Sequence, residues 1–236
     1  MKHLVITGAG SGIGEAVADR LHARGDALYL LTRTAESAER VARRFPGARA
    51  FAADLADPAR LADAVRLDEL PDELDGLLHV AGVLRLGAVG DLAPEAWHTS
   101  LTVNLAAPAE LTRLLLPRLR HPGGHVVFVN SNSGLKTQKE WAAYSASKYG
   151  LHALADALRD EEGHTGMRVT TVYPGRTATP MQEDVHRHEQ RTYEPERWID
   201  PRTVATTVIA ALDLPADAEI TDITVRVGPG FTTKGR

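Results

Sequence analysis

Tyr144 and Lys148 stand four residues apart in the run Tyr144-Ser145-Ala146-Ser147-Lys148, within a segment of helical spacing from about Trp141 to Glu162. Side chains four apart share one helix face, so the phenol and the ammonium can project into the same cleft. A free phenol, with a pKa of ~10, exchanges protons poorly near neutrality. A neighbouring ammonium favours the phenolate and lowers that pKa, toward the range in which a general acid/base works best. Tyr144 is therefore the candidate acid/base and Lys148 its tuner. Read alone, the pair also fits a surface tyrosine and lysine. Two hydroxyls lie upstream, in Val129-Asn130-Ser131-Asn132-Ser133-Gly134. Either Ser131 or Ser133 could donate a hydrogen bond that strengthens as negative charge develops on a substrate oxygen.

A second constellation binds anions. Thr7-Gly8-Ala9-Gly10-Ser11-Gly12-Ile13-Gly14 follows a short apolar run and precedes an amphipathic pattern with Ile13, Ala16, Val17 and Leu21 on one face. Glycines at such a turn let a phosphate approach the main chain. The helix start then offers free N–H groups and the positive end of the helix dipole. A merely flexible turn is the plainer reading, but the position between strand and helix argues against it.

These residues need a scaffold, and the rest of the chain supplies one. Apolar, β-branched runs predict strands at His3–Thr7, Ala27–Thr32, Ala48–Ala53, Gly76–Val80, His125–Asn130, Arg168–Tyr173 and Ile220–Val227. Helical spacing separates them, as in the Ala38, Val41, Ala42, Phe45 face and the Val204, Thr207, Val208, Ala211 face. Asp57-Pro58 and Asp200-Pro201 each place a capping acceptor before a proline at the first helical position. Alternation of this kind predicts an α/β, doubly wound, mostly parallel seven-stranded sheet with helices on both faces. Ligands bind such sheets beyond the carboxyl ends of the strands, where the motifs above fall.

Composition sets outer bounds. The chain has 236 residues, 43% hydrophobic and 25% charged, with net charge −4 and no cysteine. Size and absence of repeats suit one domain, 1–236. Thiolate chemistry and disulfides are excluded. Nothing in the charge pattern suggests nucleic acid or a membrane surface. The basic stretch Arg40–Arg44 reads as a solvated helix face. The apolar run Leu4–Ile6 is too short for a signal peptide, so a cytoplasmic location is expected.

Taken together, T-G-x-x-x-G-x-G at Thr7–Gly14, the serine after the fifth strand and Y-x-x-x-K at Tyr144–Lys148 resemble the short-chain dehydrogenase/reductase family, in its compact branch. The likeness runs from Thr7 to about Val227. It implies a Rossmann-like fold and hydride transfer between a nicotinamide cofactor and a carbonyl/alcohol pair. It favours Ser131 over Ser133 by the offset to Tyr144, and it marks Asn104 in Thr102-Val103-Asn104-Leu105 as the anchor of a proton-relaying water. Lys148 would also bond the nicotinamide ribose. Gly8, Ser11, Gly12, Ile13 and Gly14 would cradle the pyrophosphate. Asp54-Leu55 would meet the adenine, against a turn or capping role as the plainer reading. Ala81-Gly82 would let the cofactor approach closely. In Tyr173-Pro174-Gly175-Arg176-Thr177-Ala178-Thr179, residues Pro174, Gly175, Thr177 and Thr179 would hold the carboxamide. The resemblance further implies a substrate lid at about 176–200 and a homodimer or homotetramer paired through helices around Leu105–Leu119 and Trp141–Leu158.

The chain departs from the family at His79-Val80-Ala81-Gly82, where N-N-A-G is usual, and His79 reads as a structural replacement. Thr177 stands in place of a valine or isoleucine. Val227-Gly228-Pro229-Gly230 replaces a D-G-G. The second strand ends Leu31-Thr32-Arg33-Thr34, without the carboxylate that NAD proteins place there for the ribose 2′-hydroxyl. Arg33 suits a 2′-phosphate instead, so NADP(H) is expected, with NAD(H) as the alternative. In the lid, His186-Arg187-His188 reads as solvated rather than metal-binding, and Arg176, Arg187 and Arg191 are balanced by Glu183, Asp184 and Glu189. Two other activities stay open: a nucleotide sensor that kept the fold without catalysis, and an isomerase or dehydratase of the extended branch, for which the chain is short.

Overall fold

A computed structural model of the protein describes residues 1–232. Strands β1 (His3–Thr7), β2 (Ala27–Thr32), β3 (Arg49–Ala52), β4 (Gly76–His79), β5 (His125–Val129), β6 (Arg168–Pro174) and β7 (Asp222–Val225) alternate with the main helices. These are α1 (Gly12–Ala23), α2 (Ala35–Arg44), α3 (Leu61–Ala64), α4 (Pro94–Leu101), α5 (Ala107–Leu119), α6 (Ala142–Glu162), α7 (Pro180–His188), α8 (Pro201–Leu212) and the short α9 (Pro229–Thr232). The seven strands form one sheet in the order β3-β2-β1-β4-β5-β6-β7, and every pairing is parallel.

The continuous apolar strands follow from burial on both faces. Val5, Tyr29, Leu31, Leu77, Val126 and Phe128 point to the side covered by α3, α5 and α6. Leu4, Ile6, Leu28, Leu30, Leu78 and Val127 point to the side covered by α1, α2 and α8. Each fully buried aliphatic side chain contributes roughly 1.5–3 kcal/mol, so the two cores hold the sheet between helix layers. The chain leaves the β3 edge and returns beside β1 as β4. That reversal opens a crevice at the carboxyl ends of β1 and β4.

Local chemistry explains where the elements differ from expectation. Asp200 caps α8 by accepting from the Arg202 N–H at 2.8 Å. Asp57 makes no such bond, and its segment forms only a 3-10 turn, Pro58–Arg60, before the four-residue α3. Residues Thr102–Ala106 form a π-helical turn rather than regular helix. Pro108 has no N–H for the Asn104 carbonyl four residues earlier, and its ring presses on that carbonyl. Widening the turn relieves the conflict.

Two histidines are sealed in the sheet. His79 Nε2 lies 2.9 Å from Thr112 Oγ1 and its ring stacks on Phe128 with centroids 4.9 Å apart. This fits a structural replacement. His125 Nε2 lies 2.8 Å from Thr170 Oγ1. Burial holds both imidazoles at a pKa of about 3, with Lys148 adding a smaller repulsion at His79 and Arg168 and Lys2 at His125. They stay neutral in the fold and protonate once unfolded, so their contribution is intact above about pH 6.5 and is lost as pH falls toward 3. The urea midpoint should therefore drop between pH 7 and pH 5. A His79→Gln, His125→Gln double variant should show a smaller drop, and an equal drop would remove these histidines as its cause.

Candidate active site

A cleft of about 1180 Å³ runs along the carboxyl ends of the strands. All the predicted site residues line it except Asn104, which stands behind its wall. The cradle end is built by close packing. Gly8 has φ +77°, and a Cβ there would lie 2.8 Å from the Ala81 nitrogen. A Cβ on Gly14 would lie 2.1 Å from the Gly8 carbonyl oxygen. The Thr7 hydroxyl accepts from the Val80 and Ala81 N–H groups at 3.0 and 3.1 Å. The turn after β1 and the segment after β4 are thus locked together without the asparagines absent at His79 and Val80. Ser11 precedes α1 in extended conformation, and its side chain makes no capping bond. The first N–H groups of α1 are therefore left for a ligand.

Arg33 and Arg40 both line this end. Arg40 Nη2 is 3.7 Å from the place a Gly10 Cβ would take, and neither arginine is in an ion pair among the described residues. Arg40, Arg43 and Arg44 are exposed, as a solvated face over Arg40–Arg44 requires, and Arg40 also borders the cleft. At the other end of that stretch, Arg44 is bound to Asp19 and Glu15. The available signal was Ser37, one turn before Arg40 on the same helix, which also lines the cleft. Asp54 Oδ1 accepts from the Ala56 N–H at 2.9 Å. It therefore makes a turn while its side remains on the cleft.

Around Tyr144 the geometry is compact. Its ring packs edge-on to Trp141, centroids 5.8 Å apart. Lys148 Nζ lies 5.9 Å from the Tyr144 ring centre and donates to the Val129 carbonyl at 3.2 Å. Burial raises the Tyr144 phenol above its usual 10, and the neighbouring Ser131 hydroxyl pulls partly the other way. The lowering expected from the Lys148 ammonium is not among the causes of this shift. Ser131 acts on the phenol in this way and Ser133 does not; the Ser133 N–H donates to Ser131 Oγ at 3.1 Å. Asn104 is fully engaged. Its side chain accepts from the Val83 N–H at 2.8 Å and donates to the Val83 carbonyl and Ser147 Oγ at 2.9 and 3.0 Å. Its main-chain carbonyl has no α-helical donor, because Pro108 lacks an N–H.

The segment after β6 closes one side. Thr177 donates to the Gly175 carbonyl at 3.0 Å, which satisfies the hydroxyl that replaces a valine. Thr179 caps α7 by accepting from the Gln182 N–H at 3.3 Å. Met181, Gln182 and Val185 of α7 face the cleft. His186 is buried between Tyr193 and Trp198, each ring 5.2 Å away, which corrects the expectation that His186–His188 is solvated. Arg176 is held by both carboxylate oxygens of Glu189. Among the described residues, no cluster of His, Asp or Glu could hold a metal, and no helix is long and apolar enough to cross a membrane.

Residues 2–190 match the short chain dehydrogenase family. The chain belongs to that family. An uncharacterized oxidoreductase of Staphylococcus epidermidis is 29% identical over 229 residues, covering 95% of this chain and 96% of the relative. A short chain dehydrogenase of Escherichia coli CFT073, solved with NADPH, superposes with TM-score 0.83 at 27% identity, covering 97% of each chain. One from Burkholderia cenocepacia J2315, solved with NADP, gives TM-score 0.82 at 28% identity, covering 96% of this chain and 97% of the other. The protein is therefore an oxidoreductase of the short-chain dehydrogenase family.

Lys148 carries a measurable cost. Burial lowers its pKa from the ordinary 10.5 to about 8. The unfolded chain binds more protons than the folded one between these values, so stability rises with pH from 8 to 10.5. Replacing a buried charge by an apolar chain of similar volume often stabilises. A Lys148→Met variant should melt a few degrees higher than the parent at pH 7, a gap that narrows toward pH 10. A lower melting temperature at pH 7 would contradict the assigned burial cost.

Proposed function

We propose that this protein interconverts a carbonyl and an alcohol with NADP(H), using Tyr144 as general acid/base. The observation that carries this reading is the meeting of Ser131, Tyr144 and Lys148 on one wall of a cleft whose other end is a glycine cradle. The cofactor, when bound, supplies or takes the hydride. The cradle fits such a group: Gly8 and Gly14 admit no Cβ, the N-terminus of α1 is open, and Arg33 and Arg40 offer unpaired guanidinium groups. Charge-assisted, forked bonds from these two arginines to a 2′-phosphate favour NADP(H) over NAD(H).

The chain's own residues account for the proton. Tyr144 gives its proton to the substrate oxygen during reduction and recovers it in the reverse direction. Ser131 donates to the same oxygen and holds it against Tyr144. Lys148, buried beside the phenol, favours tyrosinate once its ammonium turns from Val129 toward the cleft. The main-chain carbonyl of Asn104 would hold a water that returns protons from solvent toward Lys148. Residues 176–200 act as the lid, and the small-molecule substrate lies between it and Trp141. A dimer or tetramer belongs to the same reading, with exposed Leu101 of α4 and Tyr149 of α6 on faces open to a partner.

Fluorescence titration with NADPH and NADH tests the cofactor, and a panel of ketones and aldehydes read by nicotinamide absorbance tests the chemistry. NADPH should bind more tightly. Arg33→Ala and Arg40→Ala should each weaken NADPH about tenfold, roughly 1.4 kcal/mol, with a smaller effect on NADH. Tyr144→Phe should lower kcat by about 10²–10⁴ while NADPH affinity stays near that of the parent. Tight NADPH binding without turnover of any carbonyl would instead assign the chain to cofactor sensing.

A further inference from the structure

The charges of the cleft are divided unevenly. Two carboxylates line it, Glu36 and Asp54, and both follow strands of the β1–β3 half. The half around Tyr144 is lined by Arg85, Lys136, Arg176 and Lys148 and by no Asp or Glu. Two of these cations are already spoken for. Glu189 neutralises Arg176, and Lys148 is buried against the Val129 carbonyl.

Arg85 and Lys136 remain. Both are exposed, and neither is in an ion pair among the described residues, whereas exposed Arg113, Arg187 and Arg202 each find a carboxylate. Arg85 spends one N–H on the adjacent Leu84 carbonyl at 2.9 Å. The loops that carry the two cations are joined by the Gly87 N–H, which donates to the Glu140 carbonyl at 2.8 Å. The Glu140 side chain is taken by His188 of α7, 3.2 Å away, and does not line the cleft. The same half is lined by apolar Leu84, Trp141, Met181 and Val185, beside neutral polar groups such as Thr137, Gln138 and Gln182.

We infer that the substrate is a carbonyl compound with an apolar or aromatic body and an anionic group, carboxylate or phosphate, received at the cleft mouth by Arg85 and Lys136. The inference rests on the carbonyl chemistry proposed above, and it names the substrate class for that site. A like-charged wall with no counter-charge attracts an anion and raises its local concentration. Two exposed cations should give about five- to tenfold preference for an anion over its neutral isostere.

Calorimetric titration of the NADPH-loaded protein with unreactive probes tests this without turnover. 4-Phenylbutanoate should bind about five- to tenfold more tightly than 4-phenylbutanamide at low salt. The preference should fade as salt rises and collapse toward one in an Arg85→Ala, Lys136→Ala double variant. Phenethyl phosphate in the same titration separates the two anion types: the tighter of the two names the group. Equal affinity of acid and amide in the parent protein would overturn the inference, even if neutral ketones are reduced. Selective anion binding in a protein that reduces no carbonyl would uphold the anion site and sink the proposed chemistry instead.

Discussion

The junction between the end of β1 and the end of β4 is the constraint on which the rest of the site depends. The Thr7 hydroxyl accepts two main-chain N–H groups there, from Val80 and Ala81, and Gly8 lies against Ala81 with no room for a side chain. One side-chain oxygen thus satisfies two donors that burial would otherwise leave costly. It also fixes the distance between the strands at the point where the sheet order reverses. The α1 N-terminus, the Gly82 wall and the Lys148 end of α6 all take their places from that joint.

Much of this was legible in the sequence because it is local and periodic. The continuous apolar runs of β1, β2 and β5 and the periodic helical faces of α1 and α8 mark these elements directly. The seven strands and their order of appearance followed from such runs. The glycine turn and the Tyr144–Lys148 pair were readable because their chemistry needs particular residue types at fixed offsets. Strand ends were less so. β7 stops at Val225, short of Val227, because it is an edge strand with one neighbour and no apolar run to define its limit.

What stayed hidden depends on tertiary surroundings. The sign of the Tyr144 shift could not be read from a lysine four residues away, because burial of the phenol sets it. His186 looked solvated amid charges, yet Tyr193 and Trp198 fold back over it from beyond the end of α7. Arg40 looked like any exposed helix cation until the turn after β1 was placed beside it. The π turn at Asn104 had a visible cause in Pro108, but its effect needed the packing of α6 and the Val83 loop to be recognised.

The contact between Gly14 and the Gly8 carbonyl has a bearing on descent. Every coded amino acid except glycine carries a Cβ, and at position 14 that atom would sit 2.1 Å from an oxygen. No exchange there is conservative, whatever its polarity or size. Any single-nucleotide missense change in that codon meets the same obstacle, so drift at this locus is confined to synonymous change. Specificity can change on the loops around the cleft mouth while this turn stands still.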